Sequence, residues 1–354
     1  MKRFTICWLC LLGIATTFCM NLDAATDDTV TFTFDESRGH LLIEGSGEAQ
    51  WETQRWEPYC EKIIHVTIGD RITSLKGPMF RNCINLSSVN SNIPGEAILP
   101  DSIVEIGYRA FSNCKSLQSV RFGKGLVLIS GECFSDCTGL EEILFPDSLK
   151  SIQGAFSGCE QLKEVHLPDG LEALAGFSGC DSLETVTIPG SIRLLKGGFT
   201  SCKKLQTVIF EEGIQRIPNG TLNLSGVKSV FLPKSLRVVE LGAFGGSSIQ
   251  DVYYAGTEEE WANVNLERWI DAEPGVNTLS QNIRIHYQCI PEDVYKQPVS
   301  NDNEHPNGNN QTTEPVKKLE PILFGVIGIL TAGIVAETVW LLIVHFKRRR
   351  FHET

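Results

Sequence analysis

Five stretches decide the fold: AFSNCKSLQSVRF at 110–122, CFSDCTGLEEILFP at 133–146, AFSGCEQLKEVHLP at 155–168, GFSGCDSLETVTIP at 176–189 and GFTSCKKLQTVIF at 198–210. An earlier copy, MFRNCINLSSV, occupies 79–89. The aromatic position recurs at Phe80, Phe111, Phe134, Phe156, Phe177 and Phe199, then as Leu222 and Phe244. The steps are 31, 23, 22, 21, 22, 23 and 22 residues, so an insertion lies near Asn90–Ile98. A self-similar unit of this length points to a stacked array, with one strand and one turn per repeat rather than paired helices. Leu183-Glu184-Thr185-Val186-Thr187-Ile188 alternates with period two and reads as a strand. Pro189, like Pro146, Pro168 and Pro233, ends it, because proline cannot donate to a ladder. Ser148-Leu149-Lys150-Ser151-Ile152 then returns along the opposite wall, and Gly-Ala-Phe-Ser-Gly-Cys closes the coil. One repeat cannot bury its own apolar residues. Stacked repeats bury them as continuous ladders, with stability set mainly between neighbours.

Working outward, the pattern AFxxCxxLxxVxIPxSLxxI resembles the BspA-like leucine-rich repeat family, the variant without an asparagine ladder. The resemblance covers roughly Ile63–Ala255. Thr31–Gly45 is similar to the hairpin-like amino-terminal cap of such proteins, and the segment from Asp251 to Tyr287 to their carboxy-terminal cap. In the latter, Thr257 and Glu260 form a capping box, and Trp261, Val264 and Trp269 would cover the end of the core. The copy at 220–230 lacks both Phe and Cys, and that at 243–252 lacks Cys. The resemblance implies a β-rich repeat solenoid and a surface-exposed binding or adhesion protein, without naming its ligand.

The termini have a different character. Residues 1–24 combine Lys2 and Arg3, an apolar run from Phe4 to Cys19 and a small-residue exit at Ala24-Ala25, the layout of a secretory signal peptide. The apolar run Ile322–Val344 is followed by Lys347-Arg348-Arg349-Arg350. It predicts a transmembrane helix over 321–346 with a basic cytoplasmic tail at 347–354. Gly328, Ala332 and Ala336 fall four apart, a spacing that allows weak self-association within the membrane, and Glu337 is an expensive residue there. Residues 291–320 are polar and proline-containing, and read as a flexible stalk with a reach of roughly 30 Å. The expected organisation is a signal peptide at 1–24, an amino-terminal cap at 25–62, repeats at 63–256, a carboxy-terminal cap at 257–290, the stalk, the span and the tail. The expected location is the plasma membrane, with the repeats outside the cell.

Composition excludes several function classes. Of 354 residues, those between 25 and 320 include 25 basic and 40 acidic side chains, a net charge of −15. Such a surface repels phosphate backbones, so nucleic acid is not an expected partner. The seven histidines show no metal-ligand spacing, and no nucleophile elbow or phosphate loop occurs. Neither an enzyme nor a cofactor is expected.

Cys83, Cys114, Cys137, Cys159, Cys180 and Cys202 share one repeat position. They read as a ladder of small buried groups, with a metal array or disulfide stack as alternatives. Cys133-x-x-x-Cys137 is a weak metal signal. Cys60 and Cys289 belong to opposite caps, roughly 40 Å apart at ~4.8 Å per rung, too far to pair within one domain. Asn85, Asn219, Asn223 and Asn310 begin N-x-S/T sequences.

In each strand the third and fifth positions of Leu-x-x-Val-x-Ile point outward. The third-position row includes Glu142, Glu164 and Asp251; the fifth includes Leu144, His166, Ile209, Phe231 and Tyr253. Ile209, Phe231 and Tyr253 on adjacent rungs predict an apolar strip on an outward face, flanked by acids that suit a basic partner. The expected function is non-catalytic recognition of a protein or glycan. A structural spacer and a ligand-binding subunit that signals through a partner are the alternatives.

Overall fold

The computed structural model describes residues 17–20, 30–50, 58–266 and 283–291. The expected span and tail, and all of the stalk but Pro291, lie outside these residues, as does most of the expected signal peptide. Among the described residues no helix is long and apolar enough to cross a membrane.

The repeats coil into a solenoid with three sides. The first wall is built from the Leu-x-x-Val-x-Ile strands and forms parallel sheets of eight and five strands, apart from antiparallel pairing at its amino-terminal edge. The second wall, from the Ser-Leu-x-x-Ile segments, forms sheets of seven and three strands. Val120, Ile143, Val186, Val208 and Val230 point inward and are buried, as are Ile106, Ile129, Ile152 and Ile217 from the opposite wall. The serines that open second-wall segments tie successive rungs together: Ser148 Oγ donates to the Leu126 carbonyl (2.7 Å), Ser191 Oγ to Leu171 (2.7 Å) and Ser235 Oγ to Ile214 (2.9 Å).

The third side is the Phe-x-x-Cys turn. The amides of Phe80, Phe111, Phe134, Phe156, Phe177, Phe199 and Leu222 each donate to a carbonyl of the following repeat at 2.7–3.0 Å. A second row, from Asn82 to Leu224, does the same at 2.7–2.9 Å. The residue before the cysteine is left-handed in every repeat: Asn82, Asn113, Asp136, Gly158, Gly179 and Ser201 have φ between +60° and +75°. That backbone demand explains why Asn, Asp and Gly dominate the position. The phenylalanine rings stack along the axis, with centroids 5.0 Å apart for Phe111–Phe134 and 5.2 Å for Phe156–Phe177.

Among the described residues Cys83, Cys114, Cys133, Cys137, Cys159, Cys180 and Cys202 are buried free thiols, Cys60 is buried and Cys289 is half-buried. They do more than fill space. Five of the six ladder thiols donate backwards to the phenylalanine carbonyl of the preceding repeat: Cys114 to Phe80 (3.1 Å), Cys137 to Phe111 (3.1 Å), Cys159 to Phe134 (3.3 Å), Cys180 to Phe156 (3.3 Å) and Cys202 to Phe177 (3.0 Å). Where serine replaces cysteine, as at Ser225, the hydroxyl bonds to Leu222 of its own turn instead (2.7 Å). Burial pushes the thiols up, to about 12 for Cys137 and Cys202 and well above the usual range for Cys114, Cys133, Cys159 and Cys180. Cys60, expected in the cap and outside the ladder, bonds through its side chain to Cys83. Cys60-x-x-Ile63-x-x-Val66-x-Ile68 is itself a copy of the repeat.

The walls are less regular than the turn. The first wall is interrupted at 164–166, where the expected strand does not form. Glu142 and Glu164 occupy the same row there, and like charges directly opposite disfavour pairing; Glu164 instead meets His166 at 3.0 Å. The second wall is interrupted between Leu194–Leu195 and Arg216–Ile217. In neighbouring rungs the residue after the buried Ile or Leu donates across the gap, as Lys196 does to Leu174 (3.0 Å) and Glu240 to Ile217 (2.9 Å). The corresponding residue here is Pro218, which has no amide hydrogen.

The insertion near 90–98 becomes an additional strand of the first wall. Glu96–Ile98 lies between Ser88–Val89 and Ser119–Arg121, while on the second wall Ile72–Lys76 pairs directly with Glu105–Ile106. Asn90, at φ +49°, makes room for it. Its side chain accepts from the Ile68 amide (2.7 Å) and donates to the Ile68 carbonyl (3.1 Å), satisfying a rung that the departing backbone leaves behind.

Of the caps, residues 51–57 and 267–282 lie outside the described residues, and with them Trp269, expected to cover the end of the core. Thr31–Asp35 and His40–Glu44 form an antiparallel hairpin, and residues 17–20 pair antiparallel with Thr31–Asp35. At the other end a short helix, Glu258–Trp261, carries the capping box of Thr257 and Glu260, and Trp261 and Val264 are buried.

Candidate binding face

The outward residues of the first wall form two rows, as their alternation requires. Extended to the amino terminus, the third-position row begins His40, His65, Ser88 and Glu96, in register with Ser119 and Glu142. Leu144 is 40% exposed, and Glu142, Glu164 and His166 are exposed, so these four candidates stand in solvent.

The expected carboxy-terminal strip needs correction. Ile209 and Phe231 are only 8% and 4% exposed, although both lie outside the core cluster. Tyr253 is half-buried, its ring 4.6 Å from that of Phe231 on one side and 4.6 Å from His286 on the other, stacked in both cases. Flat rings on adjacent parallel rungs cover one another, and His286, supplied by the cap strand Arg284–Tyr287, closes the stack. Nor is Asp251 an open acid for a basic partner. Its side chain is 14% exposed, and it accepts a two-pronged bond from Arg284 (2.8 and 2.7 Å) and a third from His286 (2.9 Å). The Arg284 bonds first, then His286, hold its carboxyl below the usual range against the opposing effect of burial. This end of the row is cap structure.

The opposite end holds what the sequence reading missed. A cleft of about 990 Å³ opens beside the additional strand, lined by Arg38, His40, His65, Ser88, Asn92 and Asp101 among others. The imidazoles are positioned by hydroxyls: His40 Nε2 lies 2.9 Å from Thr67 Oγ1, and His65 Nδ1 lies 2.8 Å from Ser88 Oγ. Ser91 bonds to Glu96 across the inserted loop. The legible signal was His65-Val66-Thr67-Ile68, which fits the strand pattern one copy earlier than MFRNCINLSSV at 79–89. Among the described residues no group of three or more His, Cys, Asp or Glu could hold a metal ion.

Parallel walls joined by turns, with Leu, Val, Ile, Phe and Cys as inward ladders, define a leucine-rich-repeat-type β-solenoid. The chain belongs to the BspA type leucine-rich repeat family, which matches residues 58–175, 92–197 and 175–263 in six copies. A leucine-rich repeat protein from Bacteroides ovatus is 22% identical over 70% of this chain and 67% of its own, with a TM-score of 0.42. A T. pallidum leucine-rich repeat protein is 18% identical over 64% of this chain and 82% of its own, at 0.32. The pneumococcal vaccine antigen PcpA is 13% identical over 77% of this chain and 99% of its own, at 0.36. No curated protein matches the chain.

Proposed function

We propose that the chain is a non-catalytic recognition protein of the cell surface. Its solenoid would be exported by the segment 1–24 and held outside by a span at 321–346, with the stalk 291–320 between them. One observation carries the recognition reading. Inward positions repeat almost unchanged from copy to copy, while the outward fifth position of the same strands changes from copy to copy: Thr67, Asn90, Arg121, Leu144, His166, Thr187. A spacer needs only the first property. A surface that differs at each rung on a fixed lattice suits an extended partner, as solenoid faces generally do. The exposed segment of that face, from His65 to His166, is the favoured contact region, and the carboxy-terminal strip is not.

The test is photo-crosslinking on intact cells, with a reactive residue placed at Leu144 or His166 in one strain and at Lys196, on the second wall, in another. A discrete adduct from the first wall alone supports the reading. Equal labelling from both walls, or none, rejects it. Protease added to intact cells should remove the repeats and spare the tail; protected repeats would reject the expected topology.

A further inference from the structure

The cleft beside Glu96–Ile98 is a consequence of adding a strand to one wall only. Chain that continues from the strand face turns at Asn90, and its inserted loop and following turn supply Asn92, Pro100 and Asp101 as a far side. The resulting surface presents two imidazoles and the amide of the exposed Asn92, while the hydroxyls of buried Ser88 and of Ser91 are engaged by His65 and by Glu96 and the Ile93 amide. His40 and His65 sit on adjacent rungs in register, each with one ring nitrogen engaged by a hydroxyl. The other nitrogen of each ring has no partner among the described residues.

Formal charge is mixed. Arg38 already faces Asp35 at 3.6 Å, and Asp70 and Asp101 bring two carboxylates, one of which accepts the Lys124 amide (2.8 Å). No single sign dominates, so neither a phosphate nor a basic peptide is selected. Apart from the imidazoles no aromatic side chain lines the cleft, and Val66, Ile68 and Leu99 there are buried. A protein partner would want an apolar hole for an anchoring side chain. A neutral sugar wants alternating donors and acceptors at close spacing on a rigid support.

We propose that this cleft binds a neutral oligosaccharide. The inference deepens the proposed recognition role and rests on it, since it gives one end of the recognition face a ligand class. With no aromatic platform, affinity per site is expected to be modest.

The experiment uses the full chain in detergent and four probes: maltohexaose, chitohexaose, xylohexaose and mannotetraose. Binding is read by saturation-transfer NMR and by titration. At least one probe is expected to bind with a Kd below about 1 mM. His65→Ala and the exposed Asn92→Ala are each expected to weaken it at least about tenfold, while Lys196→Ala, exposed on the second wall, leaves it unchanged. Failure of all four probes, or binding indifferent to His65 and Asn92, overturns the inference. So does a cleft that takes a peptide and no sugar. A crosslinked partner on the strand face without sugar binding sinks the glycan inference alone; absence of both sinks the recognition reading as well.

Discussion

The turn side and the strand walls of this solenoid follow the same repeat, yet only one of them is unbroken. Two rows of amides run through the turn from Phe80 to Leu224, and stacked rings and a thiol row lie beside them. Each wall, by contrast, is interrupted once, at different heights, and one accepts a strand the other lacks. The turn can therefore serve as the spine of the array, while the walls tolerate charge, proline and insertion. Variation that serves recognition falls on the side whose continuity matters least.

The largest effect expected from this contrast is alkaline. The ladder thiols have folded pKa values raised above the ordinary thiol value by burial. Their contribution is complete below the unfolded value of about 8.5 and is lost as pH rises towards the folded values, because only the unfolded chain can release the protons. Each thiol forfeits roughly 1.4 kcal/mol per pH unit in that window, so urea midpoints should fall steeply between about pH 9 and pH 11. The pair Cys159→Ala/Cys180→Ala should flatten that slope; an unchanged slope would mean the thiols are not its source. Next, Phe156→Ala should cost about 3–5 kcal/mol by denaturant titration. Cys159→Ala removes less volume and one thiol bond and should cost on the order of 1 kcal/mol.

Much of this was legible in the sequence, and the reason is repetition. Phe, Cys, Leu, Val and Ile at fixed offsets specify inward ladders and the location of the insertion, while the two caps were implied by the family resemblance. What the insertion would become was not legible. Nine additional residues can loop out or pair, and only Asn90, turning left-handed and clasping Ile68, decides for pairing. The apolar strip was misjudged for a related reason. Alternation tells which wall face a side chain occupies, but Phe231 and Tyr253 are covered along the row, by each other and by His286, a direction that alternation does not report.

Two smaller tests bear on the walls. Asp251→Asn should loosen the carboxy-terminal cap by about 1 kcal/mol, a modest figure because Arg284 is largely exposed and screened. Since the Asp251 carboxyl is held low in the folded state, its contribution is present above the unfolded value of about 3.9 and is lost as pH falls through the folded one. Cap amides read by hydrogen exchange at pH 7 and pH 3 should show that loss in the native chain and not in the variant. Finally, Leu144→Ala on the exposed row should change stability by no more than about 0.5 kcal/mol. A larger loss would show that the first wall is as structural as the turn.

The direction of the turn bonds has one more consequence. The repeats offer amides forward, and those from Phe80 to Phe177 receive a thiol from the repeat ahead, so the leading surface of a repeat fits its own trailing surface. Such a unit has no intrinsic reason to stop: copies added end to end would give an open filament rather than a closed ring. The antiparallel hairpin Thr31–Glu44 at one end and Trp261 with the strand Arg284–Tyr287 at the other are thus terminators of polymerisation as much as lids on a core. A chain stripped of both would be expected to grow by stacking on other copies of itself, and its length would be set by concentration instead of by sequence.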